Sequence, residues 1–211
     1  MKKIFLILCG LALSFSAYSQ TDTSKIDDYL SRKGKFALHT SYKLGFSQLN
    51  SLTYKNLNGN IQVGEMLASY GFSKNGTIST GIALIDFNAN VFNNGVFQNL
   101  RNEYIQIPLK GSIGYGLAKS RTTTTQAIIG AGFLGTYHRK STLEGQNSTI
   151  TDKNLTWAVG FSFEFGIELS VYKDLNIGIG IESQFADRTR GDNHKMNLTN
   201  NMLKFSFIYM R

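Results

Sequence analysis

The chain has little of what thiol enzymes, metalloproteins and helical membrane proteins are built from. Of its 211 residues one is cysteine, Cys9, and one is proline, Pro108. Beyond residue 19 no run approaches the roughly 18 consecutive apolar residues that a helical span requires, so helical spans are excluded. The three histidines, His39, His138 and His194, include no pair at metal-ligand spacing. Cys9 falls within the N-terminal leader described below, so disulfides and thiol catalysis are excluded from what remains. No metal and no cofactor is expected. Scarce proline and 21 glycines suit a large sheet, because proline cannot donate to a ladder and glycine fits crowded positions.

What is abundant is alternation. From 155 to 171 every odd position is large and apolar, among them Leu155, Trp157, Phe161, Phe163, Phe165 and Leu169. Every even position is small or ionised, among them Ala158, Gly160, Ser162, Glu164, Gly166 and Glu168. Period two means a strand with two unlike faces. Seventeen residues far exceed the roughly 5–6 usual in soluble sheets, and about 9–11 suffice to cross a bilayer.

Seven further segments alternate in the same way, over about 35–47, 60–72, 77–87, 103–117, 124–138, 175–185 and 201–210. In the second, Gly64-Glu65-Met66 interrupts the pattern. Long connections at 48–59, 88–102, 139–154 and 186–200 alternate with short ones at 73–76, 118–123 and 172–174. Membrane barrels have long external loops and tight periplasmic turns. The weaker face is mostly Gly, Ser, Ala and Thr, which suits a crowded lumen better than the densely charged exterior of a soluble barrel. The expected fold is therefore all-β, an eight-stranded antiparallel up-and-down transmembrane β-barrel.

At the N-terminus, Lys2 and Lys3 precede the apolar run Ile4–Leu13, and Ala17-Tyr18-Ser19 supplies a cleavage site. This is the pattern of a secretory signal peptide cut after Ser19. The expected organisation is a leader over 1–19, a periplasmic tether over 20–34 and a barrel over 35–211, with both termini periplasmic in an outer membrane. The formal charge is +8, of which Lys2 and Lys3 leave with the leader, giving +6. Outer-membrane lipid and anionic lipopolysaccharide are the expected partners for that excess, and nucleic acid is not.

The stretch Tyr104-Ile105-Gln106-Ile107-Pro108-Leu109-Lys110 resembles the Bacteroidota-type outer-membrane β-barrel domain, the PorT-like family. The Ser-Gln ending of the leader, the Gly-rich fifth strand and the aromatic last strand are similar to that family too. The resemblance covers about residues 35–211. It implies a barrel delivered by the barrel-assembly machinery, and it brings no catalytic residues. The family favours a terminal aromatic, whereas this chain ends Tyr209-Met210-Arg211.

Two sets of residues are candidates for function. Glu164, Glu168 and Glu182 share inward parity with Lys43, Lys110 and Lys204. Glu164 and Glu168 stand about 13 Å apart on one strand. Buried carboxylates need partners, so these six are expected to form a structural charge ladder in the lumen, the alternative being an ion path or an acid–base pair. His138, Ser141 and Glu144 cluster near the outer end of the fifth strand and suggest a lipid hydrolase or acyltransferase, although no Gly-x-Ser-x-Gly elbow accompanies them. Tyr42, Tyr104, Tyr115, Tyr137, Trp157, Tyr172 and Tyr209 are expected to form aromatic girdles at the membrane interfaces. The expected function is a structural or surface-interaction role through four long external loops, and the chain is not expected to be an enzyme. A lipid-modifying enzyme or a carrier or assembly component of the PorT-like kind is the alternative.

Overall fold

The structure is a computed structural model that describes residues 32–51, 55–93, 96–119, 123–145, 149–153, 156–172, 174–188 and 196–210. The expected leader, residues 20–31 of the tether, and His194 lie outside the described residues.

Nine strands follow one another: β1 (Phe36–Ser51), β2 (Leu57–Gly71), β3 (Gly76–Asn93), β4 (Val96–Lys119), β5 (Thr124–Glu144), β6 (Thr149–Asp152), β7 (Thr156–Tyr172), β8 (Leu175–Arg188) and β9 (Met196–Met210). No helix occurs among the described residues. Eight strands close a ring in chain order, each antiparallel to its neighbours, and β9 pairs back onto β1 from Ala37↔Met210 to Ser51↔Met196. The short β6 stands outside the ring and pairs with Ser141–Glu144 of β5. Closure satisfies the backbone from strand to strand, which is what allows a sheet to stand in lipid.

The register fixes the shape. From Lys43, one path of paired residues runs through Val63 and Ile85 to Tyr104 on β4. The opposite path runs through Lys204, Gly180, Gly166 and Ile128 to Gly114, also on β4. The two arrivals differ by 114 minus 104, a shear of ten. At about 3.3 Å per residue and about 4.8 Å between strands, this tilts the strands by about 40°. Such a barrel is just wide enough for its own side chains to fill.

Two ends can be told apart. The proximal end holds the start of β1, the end of β9, the connection 72–75, the end of β4 with the start of β5, and the end of β7 with the start of β8; the distal end is where β3 and β4 meet. Over the proximal and middle levels the large apolar residues point outward, among them Leu44, Met66, Leu84, Leu109, Phe163 and Phe205, and all are exposed. On β4 this face runs from Ile105 to Leu117, about 30 Å along the axis, enough for the apolar core of a bilayer.

Towards the distal end the two faces exchange character. On β3 the outward positions change from Ile82 and Leu84 to Asp86, Asn88 and Asn90, while Ile85, Phe87, Ala89 and Val91 turn inward and are buried. On β9, outward Leu203 gives way to Asn201 and Thr199, while Leu198 is buried within. The strands therefore continue past the apolar belt as a wall that is apolar inside and mostly polar outside, with Phe92 and Phe97 paired and exposed near its tip. On β3 that wall comprises Asp86–Asn93, about 20 Å of height.

This exchange corrects the expected loops. Much of 88–102 and 139–144 is strand, β1 runs to Ser51, and β8 runs to Arg188. An outward row of asparagines reads as loop when an outward apolar row is sought. The second strand is corrected as well. Gly64-Glu65-Met66 pairs without a register shift on both sides, with Glu65 facing in beside inward Ile61, Val63 and Leu67.

Candidate functional site

The middle of the lumen is charged. Lys43 Nζ lies 2.7 Å from Glu65 Oε2 and 2.8 Å from Glu182 Oε2. Lys110 Nζ donates to Glu65 Oε2 at 3.0 Å and to Glu182 Oε1 at 2.8 Å, with Glu164 at 3.9 Å. Lys204 Nζ donates to Glu164 Oε2 at 2.6 Å. Three lysines and three glutamates cancel, the requirement for charges placed away from water. Lys43 is directly opposite Lys204, and Glu164 opposite Glu182, so directly paired positions carry like charges, and the opposite charges meet diagonally, as Lys43 and Glu65 do, or across the lumen. Glycines leave the space these side chains occupy. A methyl group on Gly130 would sit 2.7 Å from Glu164 Cγ, and one on Gly132 would sit 2.7 Å from Lys110 Cγ.

Five of the six expected ladder residues thus come together, and Glu65, which was not expected among them, completes the set. Glu168 is the exception. It lies nearer the proximal mouth, where Arg32 donates to its Oε2 at 2.5 Å and Gln126 Nε2 donates to the same atom at 2.8 Å. Arg32 precedes β1 in the segment expected to be a tether, yet it is buried. Its backbone N–H donates to the Lys74 carbonyl at 2.9 Å, and Gly34 N–H donates to the Gly71 carbonyl at 2.7 Å. The barrel therefore holds the last residues of that segment. Arg32, rather than a lysine, is the partner of Glu168 because the bend before β1 delivers its guanidinium into the mouth.

Distal to the charges comes a layer of amides. Gln106 donates to Thr136 at 3.0 Å, Gln184 to Glu182 at 2.8 Å, and Asn200 to Gln184 at 3.3 Å. Beyond it Ile61, Val63, Ile85, Phe87, Leu100 and Leu198 pack into an apolar core inside the barrel. The interior is thus filled from the charges to the distal wall.

The residues of the hydrolase alternative do not converge. A register shift on β5 lies between the pairs Glu103↔Lys140 and Tyr104↔His138. His138 stacks on Tyr104, ring centroids 4.7 Å apart, on the lumen face. Ser141 shares the face of its partner Asn102, which bonds to the Tyr104 hydroxyl, whereas Glu144 pairs with Asn99 on the opposite face. Among the described residues no three His, Cys, Asp or Glu side chains are grouped to hold a metal. Tyr42, Tyr115, Trp157 and Tyr209 are exposed as an interfacial girdle requires, and Tyr137 packs on Trp157. Tyr104 is not part of that girdle, being 1% exposed inside the barrel. The side chain of Tyr172 lies outside the described residues.

The outer surface of the distal wall carries a cleft of about 660 Å³ over β1–β4 and β9. Gln48, Asn60, Asn88, Asn99 and Asn201 line it, with Phe46 at its base. Asn201, Phe46, Asn60 and Asn88 form one continuous row of paired residues across β9, β1, β2 and β3.

No family model and no curated protein matches the sequence. Among solved structures, the chain is similar to Neisserial surface protein A, with a TM-score of 0.54 and 9% identity over 84% of this chain and 99% of that one. It is also similar to the N-terminal β-barrel domain of Pseudomonas aeruginosa OprF, with a TM-score of 0.44 and 8% identity over 84% and 98%. At these identities the likeness is one of fold, and no match places the chain in the PorT-like family. Ring closure, the apolar outer belt and the likeness to Neisserial surface protein A agree: the chain forms an eight-stranded transmembrane β-barrel.

Proposed function

We propose that this is a small, non-enzymatic outer-membrane barrel with both termini in the periplasm, and that it works through the wall it raises beyond the outer leaflet. The observation that carries the reading is the exchange of faces along β3, from Leu84 outside and Glu65-level charges inside to Asn88 outside and Phe87 inside. A barrel that needed only to sit in lipid would end near its apolar belt. Here the strands and their inner core continue, which is the construction of a rigid display surface. The working part is this strand wall rather than four loops. Filling of the interior by Phe87, Val63 and Leu198 supports a structural role over a carrier role.

Bilayer recordings and lipid analysis of a deletion strain test the reading together. Purified barrel should give no stepwise conductance, and loss of the gene should leave lipid acylation unchanged. Steady ion steps would establish a carrier, and an altered acyl profile would establish an enzyme. A positive arm shortens the wall: Phe87 and Asn102 are paired, so a two-residue turn can replace 88–101. That variant should assemble normally and lose the surface ligands that the intact barrel retains.

A further inference from the structure

The outer face of the wall is unusual for a water-facing sheet. Asparagine is disfavoured in strands, and exposed surfaces normally alternate charges. Yet Asn201, Asn60 and Asn88, with Phe46 between the first two, follow one another across β9, β1, β2 and β3, and Asn90 and Asn99 pair with each other beyond them, with Gln48 beside the row. Neither closure of the barrel nor its core demands an amide there, since all of them point away from the interior. We infer that this amide-lined cleft binds the neutral sugar chain of an outer-leaflet glycolipid, an inference that rests on the wall lying outside the leaflet.

The chemistry selects sugar over phosphate. An amide carries donor and acceptor on adjacent atoms, which complements neighbouring hydroxyls on a pyranose ring. No lysine or arginine lines the cleft. The nearby guanidinium of Arg101 is already held by Asp86, Nε–Oδ1 at 3.0 Å and Nη2–Oδ2 at 2.5 Å. Among the described residues the cleft offers an anion no lining cation, whereas hydroxyls find a row of amides.

The geometry selects a tethered ligand. Phe46, 75% exposed at the base of the cleft, offers an apolar face against which the C–H side of a sugar packs. It lies two residues beyond lipid-facing Leu44, and Asn201 lies two residues beyond lipid-facing Leu203. A chain rising from a lipid in the same leaflet reaches this level without leaving the barrel surface. Asn60 and Asn88 are paired on strands about 4.8 Å apart, close to the length of one pyranose ring, and Phe46 stands between Asn60 and Asn201. Ser183 Oγ donates to Asn201 Oδ1 at 2.8 Å, which orients that amide before any ligand arrives. The volume of about 660 Å³ is within the range of small-ligand sites, roughly 300–1,000 Å³.

The test uses the full barrel in phosphatidylcholine nanodiscs, titrated with dephosphorylated core oligosaccharide released from lipopolysaccharide. A parallel arm measures intact lipopolysaccharide co-purifying with the barrel from cells. The variant is Asn60→Ala/Asn88→Ala, and its melting should match the parent because both side chains face outward. Affinity for the dephosphorylated oligosaccharide should fall about tenfold in the variant, and retained lipopolysaccharide should fall with it. Binding that requires the phosphates would make this an anion site and overturn the inference. Oligosaccharide binding with unchanged lipopolysaccharide retention would overturn the glycolipid as its source. A dimer that dissociates in the variant would assign the amides to self-association and overturn it too. If surface labelling places the wall outside while no sugar binds, this inference alone fails and the display surface stands.

Discussion

Removing the Glu182 carboxylate would leave three interior lysines with two nearby carboxylates. Lys43 would keep Glu65 alone, and Lys110 would keep Glu65 and the longer contact to Glu164. Both lysines are almost fully buried, at 0% and 3% side-chain exposure, so the surplus charge has no access to water. Glu182→Leu should cost about 3–5 kcal/mol. Adding Lys43→Met removes the surplus cation, and much of the loss should return. Glu164→Ala should cost less than Glu182→Leu, because its pair with Lys204 lies nearer to solvent. Urea unfolding in lipid vesicles reads all three. If the double variant were as unstable as the sum of its single changes, charge balance would not be what couples these residues. Parity alone placed Lys43, Lys110, Lys204, Glu164 and Glu182 inward, because each stands among small residues. Glu65 escaped because Val63 and Leu67, its neighbours on the same face, are apolar and read as the lipid side. Arg32 escaped because it precedes any strand, and only the bend before β1 brings it to Glu168.

At the scale of one strand the question is which face meets lipid at which level. Phe163 is exposed on the apolar belt of β7, and Phe163→Asp should cost on the order of 2 kcal/mol or more near the midplane. Ser162 points inward, paired with Gly132, which itself pairs with Lys110. Ser162→Asp would add a fourth carboxylate to the balanced buried set, whereas Ser162→Asn adds no charge and should cost less than Phe163→Asp. A larger loss for Ser162→Asn than for Phe163→Asp in the same unfolding assay would invert the faces. The distal wall makes a contrasting case, since Asn90 faces out beyond the belt and Asn90→Asp should change stability by less than about 0.5 kcal/mol. Phe87, on the same strand but fully buried, should lose about 3–5 kcal/mol on change to alanine. Alternation made the strands legible, and the sign of the alternation set where they were taken to stop. Ile85, Phe87, Ala89 and Val91 alternate with Asp86, Asn88 and Asn90 as regularly as any segment of the chain, but in the opposite phase. The sign changes because the solvent outside changes from lipid to water, and a local pattern does not name its solvent.

The whole molecule is set by closure. Eight antiparallel strands were legible from the spacing of alternating segments, but the shear of ten and the filled interior were not. Both depend on register, which is decided by side chains meeting across the lumen rather than along a strand. Orientation in the membrane is likewise a property of the whole barrel, and single cysteines test it. Cys9 is the only cysteine in the chain and falls within the expected leader, so an introduced cysteine reports from one place. Asn90→Cys and Asn99→Cys lie on the outer face of the distal wall, and Asn75→Cys lies in the connection between β2 and β3 at the proximal end. A membrane-impermeant maleimide added to intact cells should modify the first two and leave the third until the outer membrane is opened. The distal sites should also label as fast in membranes as in detergent, because lipid does not cover them. Slow labelling at Asn90→Cys in membranes alone would lower the wall into the bilayer and leave no surface for display. Labelling of Asn75→Cys on intact cells, with Asn90→Cys silent, would turn the barrel over and remove both the display surface and the glycolipid site, whatever the lumen charges contribute to its stability.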